Sequence, residues 1–312
     1  MVMGGALPPQ LTGDNDITMQ WCAQAKNKKK NKKNKSKKIK SKKDKKKSVS
    51  PKSPVKKQTK APAVASRLTN VPTIGSTANA SSQAPQSVKS LLGVGIPKGV
   101  SNQVINYKAI RVNFNPSLRI PNCVAYELTA TMVDMADAPD HEVRKNYNYA
   151  RDTQVKTCPE NWEYRGSNFS RGHMAPAMDM RWDKTAMTEC FYMTNMCPQE
   201  TKLNNDHWRV LEEKVHRWAK RDKRLMVYTG PIMGKNPQMI GKNKQNIAVP
   251  DAFFKVVYAP EQGRAIAFIY ENKPCPGNIS KYAVTVAEVE RRTGLSFSNA
   301  IPKQQCRITD WE

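Results

Sequence analysis

The stretch Met193–Glu213, "MTNMCPQETKLNNDHWRVLEE", joins a strand pattern to a helix pattern and so decides the fold class. The segment Glu189–Met196, which overlaps the first four residues of this stretch, has the β-favouring composition of a strand. From Leu203 onward the apolar side chains instead recur at helical spacing and form one helix face. They are Trp208, Leu211, Val215 and Trp218. The stretch therefore predicts a strand followed by an amphipathic helix.

Strand patterns recur on both sides of this unit. The segments predicted as strands are Cys123–Ala130, Arg224–Ile232, Phe253–Pro260 and Arg264–Asn272. A last helix is predicted after Thr285, which forms a capping box with Glu288, and this helix ends before Gly294. Because strands outnumber helices and several are consecutive, the predicted class is α+β with an antiparallel sheet.

The positive charge is concentrated near the N-terminus. The chain carries 52 Lys and Arg against 26 Asp and Glu, and residues 26–60 hold 19 of the lysines with a single acid, Asp44. That block has a net charge of +18 and leaves +8 for the other residues. Such a block stays solvated, buries no core and attracts polyanions such as nucleic acid or acidic lipid. A solubilising tail without a specific partner and a nuclear-targeting segment are the alternatives.

The composition places a domain boundary near residue 100. Residues 61–100 are rich in Ser, Ala, Pro and Val without a helical or strand period, which predicts a linker. We therefore predict a disordered lysine-rich arm and linker over residues 1–100 and a folded domain over residues 101–312. No window has the roughly 18 consecutive apolar residues of a membrane span, and the N-terminus shows no signal-peptide pattern.

The cysteines leave two interpretations open. The chain has seven, of which six lie in the predicted domain: Cys123, Cys158, Cys190, Cys197, Cys275 and Cys306. Six are enough for up to three disulfides in an oxidising compartment. Buried free thiols are the alternative.

Several kinds of site find no support in the spacing of the residues. Cys190 and Cys197 have six residues between them, and His207 and His216 have eight, so neither pair has the close spacing of a zinc site. No Gly-rich phosphate loop and no dinucleotide fingerprint is present. A Cys–His nucleophile pair has no local signature, although the sequence does not exclude it.

The remaining candidates surround His173 in "SRGHMAPAMDM", Ser170–Met180. A histidine can accept a proton from water near neutral pH, and the adjacent Arg171 can neutralise charge on a phosphorane. Downstream, Asn204 and Glu212 lie eight residues apart on the predicted helix, about 80° apart around its axis, so both can face one side. A neutral carboxamide suits Mg²⁺, which prefers oxygen ligands and keeps several waters. Taken singly, His173 also fits a structural turn, Asn204 a helix cap, and Glu212 and Arg171 solvated surface positions.

These segments resemble the DNA/RNA non-specific endonuclease family. "SRGHMAPAMDM" is similar to its Asp-Arg-Gly-His motif, and "TNMCPQETKLNNDHWRVLE" to the continuation of that motif. Further similar blocks are "VAYELT" upstream and "VYTGPI", "VPDAFFKVV" and "VTVAEVERRTGL" downstream, so the resemblance covers roughly residues 107–300. It implies a ββα-metal (His-metal finger) fold on a central antiparallel sheet flanked by helices.

The resemblance also implies roles for the four candidates. His173 corresponds to the general base that deprotonates the attacking water, and Asn204 to the single protein ligand of a hydrated Mg²⁺, for which Mn²⁺ can substitute. Glu212 corresponds to the residue that holds a water of the metal, and Arg171 to a residue that stabilises the transition state. The implied substrates are DNA and RNA, cleaved to 5′-phosphate ends, and the implied assembly is a homodimer.

Two features depart from the family pattern. Ser170 stands where the family usually has aspartate, which puts the tuning of the neighbouring Arg171 in doubt. The family's second catalytic arginine is not placed by spacing, because Arg144 and Arg151 both lie upstream of the motif. The alternative function is therefore a weak or inactive nuclease-fold protein that binds or packages nucleic acid through its polybasic arm. The family resemblance and the cysteines favour an extracellular or periplasmic location, whereas the lysine arm and the missing signal peptide argue against it.

Overall fold

The computed structural model describes residues 87–241 and 247–312. The predicted arm, and the linker up to residue 86, lie outside the described residues, so the division of the chain at residue 100 stays a prediction. Within the described residues a helix at Val88–Leu91 (α1) buries Leu91, and Gly95 forms a β-bridge with Ser296.

The centre of the fold is a seven-stranded antiparallel sheet in the order β1–β2–β3–β6–β9–β10–β11. Its strands are β1 Gln103–Asn106, β2 Ile110–Asn115, β3 Ile120–Thr129, β6 Arg224–Ile232, β9 Ala252–Ala259, β10 Arg264–Glu271 and β11 Ala283–Val284. Two smaller ribbons lie outside it, β4 Phe169–His173 with β5 Met196–Glu200, and β7 Met239–Ile240 with β8 Ile247–Ala248. The predicted class with a central antiparallel sheet is confirmed.

The sheet separates two cores, because its residues alternate between its faces. Along β3, Val124 and Tyr126 point to one core, whereas Cys123 and Ala125 point to the other. The first core is covered by α2 (Ala130–Asp137) and α4 (Arg209–Asp222), and the second by α1 and α5 (Val286–Thr293). None of the helices in the described residues is long and apolar enough to cross a membrane.

The helix ends follow local capping chemistry. Thr285 caps α5, with its side chain accepting a hydrogen bond from the backbone N–H of Glu288 at 3.1 Å. The helix ends at Gly294, whose φ of 71° is left-handed, as predicted. Asp183 caps a helix that the sequence did not predict, α3 (Lys184–Cys190), and accepts from the backbone N–H groups of Thr185 and Ala186.

The predicted strand Glu189–Met196 is therefore wrong. Its first residues end α3, a 3-10 turn follows at Met193–Asn195, and β5 begins only at Met196. The β-favouring side chains there serve packing instead, since Phe191 and Met193 are buried in the first core. The cap at Asp183 decides the local conformation against the strand propensity.

Candidate functional site

A cleft of about 540 Å³ lies between the end of β4 and the first turns of α4. Three of the four residues expected from the sequence line it: His173, Asn204 and Glu212. His173 ends β4, which pairs with β5, and Asn204 and Glu212 lie on the helical segment that follows β5, so two paired strands and a helix form the site, as the family resemblance implied. The fourth residue, Arg171, is not among those that line the cleft.

The ribbon of β4 and β5 fixes which way His173 points. Side chains alternate along a strand, so His173 and Arg171 share one face of β4, and Ser170 and Gly172 share the other. A Cβ on Gly172 would lie 2.6 Å from the Cβ of Gln199, which occupies that face. A glycine is therefore required beside His173 for steric reasons.

Asn195 braces the chain just beyond the base candidate. Its carboxamide accepts a hydrogen bond from the backbone N–H of Ala175 at 3.0 Å, and donates to the carbonyls of Ala175 at 3.0 Å and Cys190 at 2.8 Å. The side chain is fully buried. These three bonds fix the segment that follows His173 to the end of α3.

His173 lies in an aromatic setting that keeps its ring neutral. The ring makes an edge contact with Phe191, at 4.9 Å between centroids, and a tilted contact with Tyr149 at 5.6 Å. Its Nε2 is buried and has no hydrogen-bond partner among the described residues. Burial, and secondarily the positive charge of Arg144, lower the pKa of His173 to about 3. A neutral imidazole with an unpaired ring nitrogen can accept a proton.

Asn204 lies on a π-helical turn rather than on the α-helix that its spacing predicted. The turn spans Leu203–Trp208 and continues into α4. Leu203 and Trp208 are five residues apart and both fully buried, and the i→i+5 repeat of a π-helix places such residues on one side. Asn204 still faces the cleft, and its Nδ2 donates only a long hydrogen bond, of 3.4 Å, to Asn205.

Glu212 has an unusual electrostatic environment. Burial raises the pKa of Glu212 to about 7, a shift that the charge of Lys255 opposes and that of Asp179 reinforces. Lys255 is fully buried, donates to Thr229 Oγ1 at 2.8 Å, and holds its ammonium 4.9 Å from the ring centroid of Trp208. A buried cation thus lies beneath the helix that carries Glu212.

Arg171 shares the face of β4 with His173 but is not among the residues that line the cleft. Its guanidinium donates to the carbonyl of Asn161 at 2.6 Å and lies 5.5 Å and 5.3 Å from the ring centroids of Tyr149 and Tyr164. Because Tyr149 also contacts His173, Arg171 supports the aromatic wall of the base candidate.

The structure distinguishes the two upstream arginines that the spacing could not. Arg144 lines the cleft, lies 5.2 Å from the centroid of Phe191 and donates to the hydroxyl of Tyr149 at 3.1 Å. Arg151 is not among the lining residues and instead pairs with Glu160 at 3.3 Å.

Two further arginines line the cleft, and sequence reasoning missed both. Arg209 lies three residues before Glu212, so the helical spacing could have indicated that they share a face. Arg181 follows a 3-10 turn, Ala177–Met180, and no periodicity marks it. Its buried Nε has no hydrogen-bond partner among the described residues. Arg209 pairs with Glu213, which also lines the cleft, so Arg144 and Arg181 give the rim its positive charge.

The donor set of the cleft suits a hydrated hard cation. Among the described residues there is no group of three His, Cys, Asp or Glu that could enclose a metal. Asn204 and Glu212 present a carboxamide and a carboxylate to the same cleft, and both supply oxygen. One or two protein oxygens with the remaining ligands as water is the usual coordination of Mg²⁺, so the residues fit this ion.

All six cysteines in the described residues are free thiols, and only Cys306 is exposed. The alternative of up to three disulfides is therefore not realised in the described part of the chain.

Comparisons with known proteins agree with this geometry. The sequence profile of the DNA/RNA non-specific endonuclease family matches residues 87–304. The protein "Nuclease 1, mitochondrial" of Schizosaccharomyces pombe is 32% identical over 233 residues, which are 67% of this chain and 70% of that protein. Human "Endonuclease G, mitochondrial" is 36% identical over 152 residues, so the match spans 44% of this chain and only 50% of the human protein.

A solved structure has the same fold. A chain from the crystal structure of the EndoG/EndoGI complex superimposes with a TM-score of 0.59 at 28% sequence identity. The match covers 64% of this chain and 87% of that chain.

Proposed function

Because the chain belongs to the DNA/RNA non-specific endonuclease family, we propose that it hydrolyses phosphodiester bonds of both DNA and RNA. The observation that carries the proposal is the convergence of His173, Asn204 and Glu212 in one cleft rimmed by arginines. A positive rim binds the phosphate backbone, which is common to both nucleic acids and carries no sequence information. The cleavage is therefore proposed to be independent of base sequence.

His173 is the proposed general base. Its neutral ring, with a free Nε2, accepts a proton from the attacking water. The negative charge of a bound phosphate opposes the effect of Arg144 and makes the imidazole a stronger base in the complex than in the free protein. Phe191 and Tyr149 hold the ring in place and exclude other water from it.

The arginines of the cleft are proposed to neutralise the charge that builds on the phosphorane. Arg144 and Arg181 face the cleft directly. Arg171, which the family resemblance assigns to the transition state, contributes positive charge at the edge of the site and holds Tyr149 beside the base. Charge-assisted donors of this kind act most strongly when they are fixed before the reaction.

Magnesium is the proposed metal, with Mn²⁺ as a substitute. Asn204 would provide the direct ligand, and Glu212 would accept a hydrogen bond from one of the waters of the ion. A divalent cation held there would supply positive charge to the scissile phosphate. Cleavage of the bond from phosphorus to the 3′ oxygen leaves 5′-phosphate ends. The other fragment should then carry a 3′ hydroxyl, once its oxygen has taken a proton from solvent, and analysis of the products checks this.

A cleavage assay tests the proposed function. Purified full-length protein is incubated with supercoiled plasmid and with single-stranded RNA, in Mg²⁺ and in excess chelator, and the new ends are labelled. We expect nicking of both substrates in Mg²⁺, none in chelator, and 5′-phosphate termini. Absence of cleavage of either substrate in Mg²⁺ would overturn the proposal.

The alternative function, binding or packaging of nucleic acid without cleavage, drew on Ser170 and on the lysine arm. Ser170 lies on the face of β4 opposite His173, and its hydroxyl donates to Thr201 Oγ1 at 3.1 Å. The departure from the family motif therefore lies outside the cleft, which favours the enzyme.

The lysine block at residues 26–60 is proposed to raise the affinity of the enzyme for its polyanionic substrate. Deleting residues 1–60 should reduce the dependence of binding on salt, because fewer counterions are released. Turnover of short substrates at saturating concentration should change little. An unchanged salt dependence would contradict this role and favour a localisation signal.

Two properties of the protein remain to be measured, its cellular compartment and its oligomeric state. The similar proteins from Schizosaccharomyces pombe, human and Saccharomyces cerevisiae are named as mitochondrial nucleases. The family resemblance and the cysteines favoured an extracellular or periplasmic location, and the lysine arm and the missing signal peptide argued against it. Fractionation of cells that express the full chain assigns the compartment. A homodimer is proposed from the family resemblance, and sedimentation velocity measures it.

A further inference from the structure

A buried polar cluster lies directly behind the cleft, and the proposed mechanism does not use it. The carboxylate of Asp179 is 1% exposed and accepts hydrogen bonds from the hydroxyl of Tyr126 at 2.8 Å and from Nδ1 of His216 at 2.7 Å. His216 is itself buried, with its Nε2 3.4 Å from Asp137 Oδ1. We call the hydrogen-bonded residues Asp179 and His216 the Asp179–His216 pair.

The two members of the pair belong to the two halves of the site. Asp179 lies in the turn Ala177–Met180, six residues after His173, and Ala177 of that turn lines the cleft. His216 lies on α4, four residues after Glu212, so the two side chains are neighbours on one helix face. Their hydrogen bond thus joins the segment that follows the base to the helix that carries the carboxylate.

We propose that the Asp179–His216 pair is a positioning pair that sets the placement of Glu212 relative to His173. This inference rests on the proposed nuclease function. A hydrogen bond between two buried side chains is directional and has no water to replace it, so it fixes the separation of the elements that carry it.

The charges around the pair explain why a histidine suits this position. Burial lowers the pKa of His216, but the hydrogen bond and charge of Asp179, with the charge of Asp137, raise it above its ordinary value. A protonated ring offsets the negative charge of Asp179, which raises the pKa of Glu212. The other groups that face the pair are the hydroxyl of Tyr126 and the buried ammonium of Lys255, which acts on Asp179 and Glu212 from β9.

The positioning role predicts a specific pattern of kcat among three variants. His216→Phe keeps a ring but removes the donor, so kcat should fall by about 10- to 100-fold, the usual effect of losing a supporting hydrogen bond. KM should change little, because the arginine rim remains. His216→Asn should regain most of kcat, since the Asn Nδ2 can donate where the His Nδ1 did. Asp137→Asn is the matched control, because it removes only the charge of the 3.4 Å contact to the other ring nitrogen and should leave kcat unchanged.

The experiment measures kcat and KM for the wild type and these three variants well below their unfolding temperatures, on the same plasmid substrate. Wild-type kcat in His216→Phe, or equal loss of kcat in His216→Asn and His216→Phe, would overturn the positioning role. In metal-free protein, ¹⁵N spectra of histidine should show a lower pKa for His216 in Asp179→Asn, and an unchanged pKa would also overturn it. A wild type that cleaves nothing would instead overturn the proposed function, and the inference with it.

Discussion

The side chain of Gln199 fills the space next to Gly172, so that a Cβ at position 172 would lie 2.6 Å from the Cβ of Gln199. Gln199 is fully buried, and both polar atoms of its side chain lack a hydrogen-bond partner among the described residues. The position of its side chain is therefore set by packing against Gly172 rather than by hydrogen bonds. The glycine between Arg171 and His173 is a steric requirement of the ribbon that presents the base.

Gly172→Ala should destabilise the protein by about 1–3 kcal/mol, the usual effect of forcing an extra methyl group into a packed site. Urea denaturation measures the free energy of unfolding. The double variant with Gln199→Gly, which also removes the Cβ that the methyl group would meet, should be more stable than Gly172→Ala alone. If the double variant is no better, the steric explanation fails.

Replacing Ser170 should have little effect on cleavage. The residue lies on the opposite face of β4 from His173 and bonds to Thr201 outside the cleft. Both Ser170→Asp, which restores the family's usual residue, and Ser170→Ala should keep kcat/KM close to the wild-type value. A large gain in Ser170→Asp would show instead that the serine lowers the activity of this chain.

Arg144 and Arg151 form a matched pair for testing the arginine rim. Arg144→Ala should reduce kcat by roughly 10²–10³-fold, the usual result of removing one donor that stabilises a developing charge. Arg151→Ala should leave kcat near wild type, because Arg151 lies outside the cleft in an ion pair with Glu160. Steady-state cleavage of one plasmid substrate measures both, and equal losses would contradict the assignment.

The pH dependence should report Glu212 rather than His173. The pKa of Glu212 is raised to about 7 by burial, whereas burial lowers the pKa of His173 to about 3. As pH falls through 7, Glu212 gains a proton while the base stays neutral, so kcat/KM in the free enzyme should fall there. Lys255→Met removes a charge that lowers the pKa of Glu212 and should move this limb to higher pH.

The variant Glu212→Gln tests whether Glu212 is the group that titrates near pH 7. Glu212→Gln should have low activity without the limb near pH 7, because the titrating carboxyl is gone. If the same limb persists in Glu212→Gln, another group causes it.

The sequence predicted the regular parts of this fold well, because burial imposes periodic patterns on them. Arg224–Ile232 was predicted with the bounds that β6 has, and Thr285 and Gly294 mark the ends of α5 as expected. His173, Asn204 and Glu212, which were each singled out from the sequence, also lie in one cleft of the structure.

The remaining features depend on contacts that no local pattern records. The predicted helix face was read from Trp208 onward, so it carried no information on the π-helical turn Leu203–Trp208 that precedes the α-helix. The entry of Arg144 and Arg181 into the cleft results from the tertiary packing of irregular segments. The segment Glu189–Met196 was predicted as a strand from its β-favouring side chains, and that prediction failed because the Asp183 cap starts a helix that includes its first residues.

The role of His173 as the base of a metal-dependent nuclease is tested by comparing two histidine variants. The rate of plasmid cleavage in Mg²⁺ is measured for His173→Ala and for the control His141→Ala, whose ring nitrogen lies 2.6 Å from the carbonyl of Ala138 and does not line the cleft. We expect His173→Ala to lose about 10²–10⁴-fold in rate, the range for removal of a general base, with His141→Ala near wild type. Undiminished cleavage by folded His173→Ala would contradict the account.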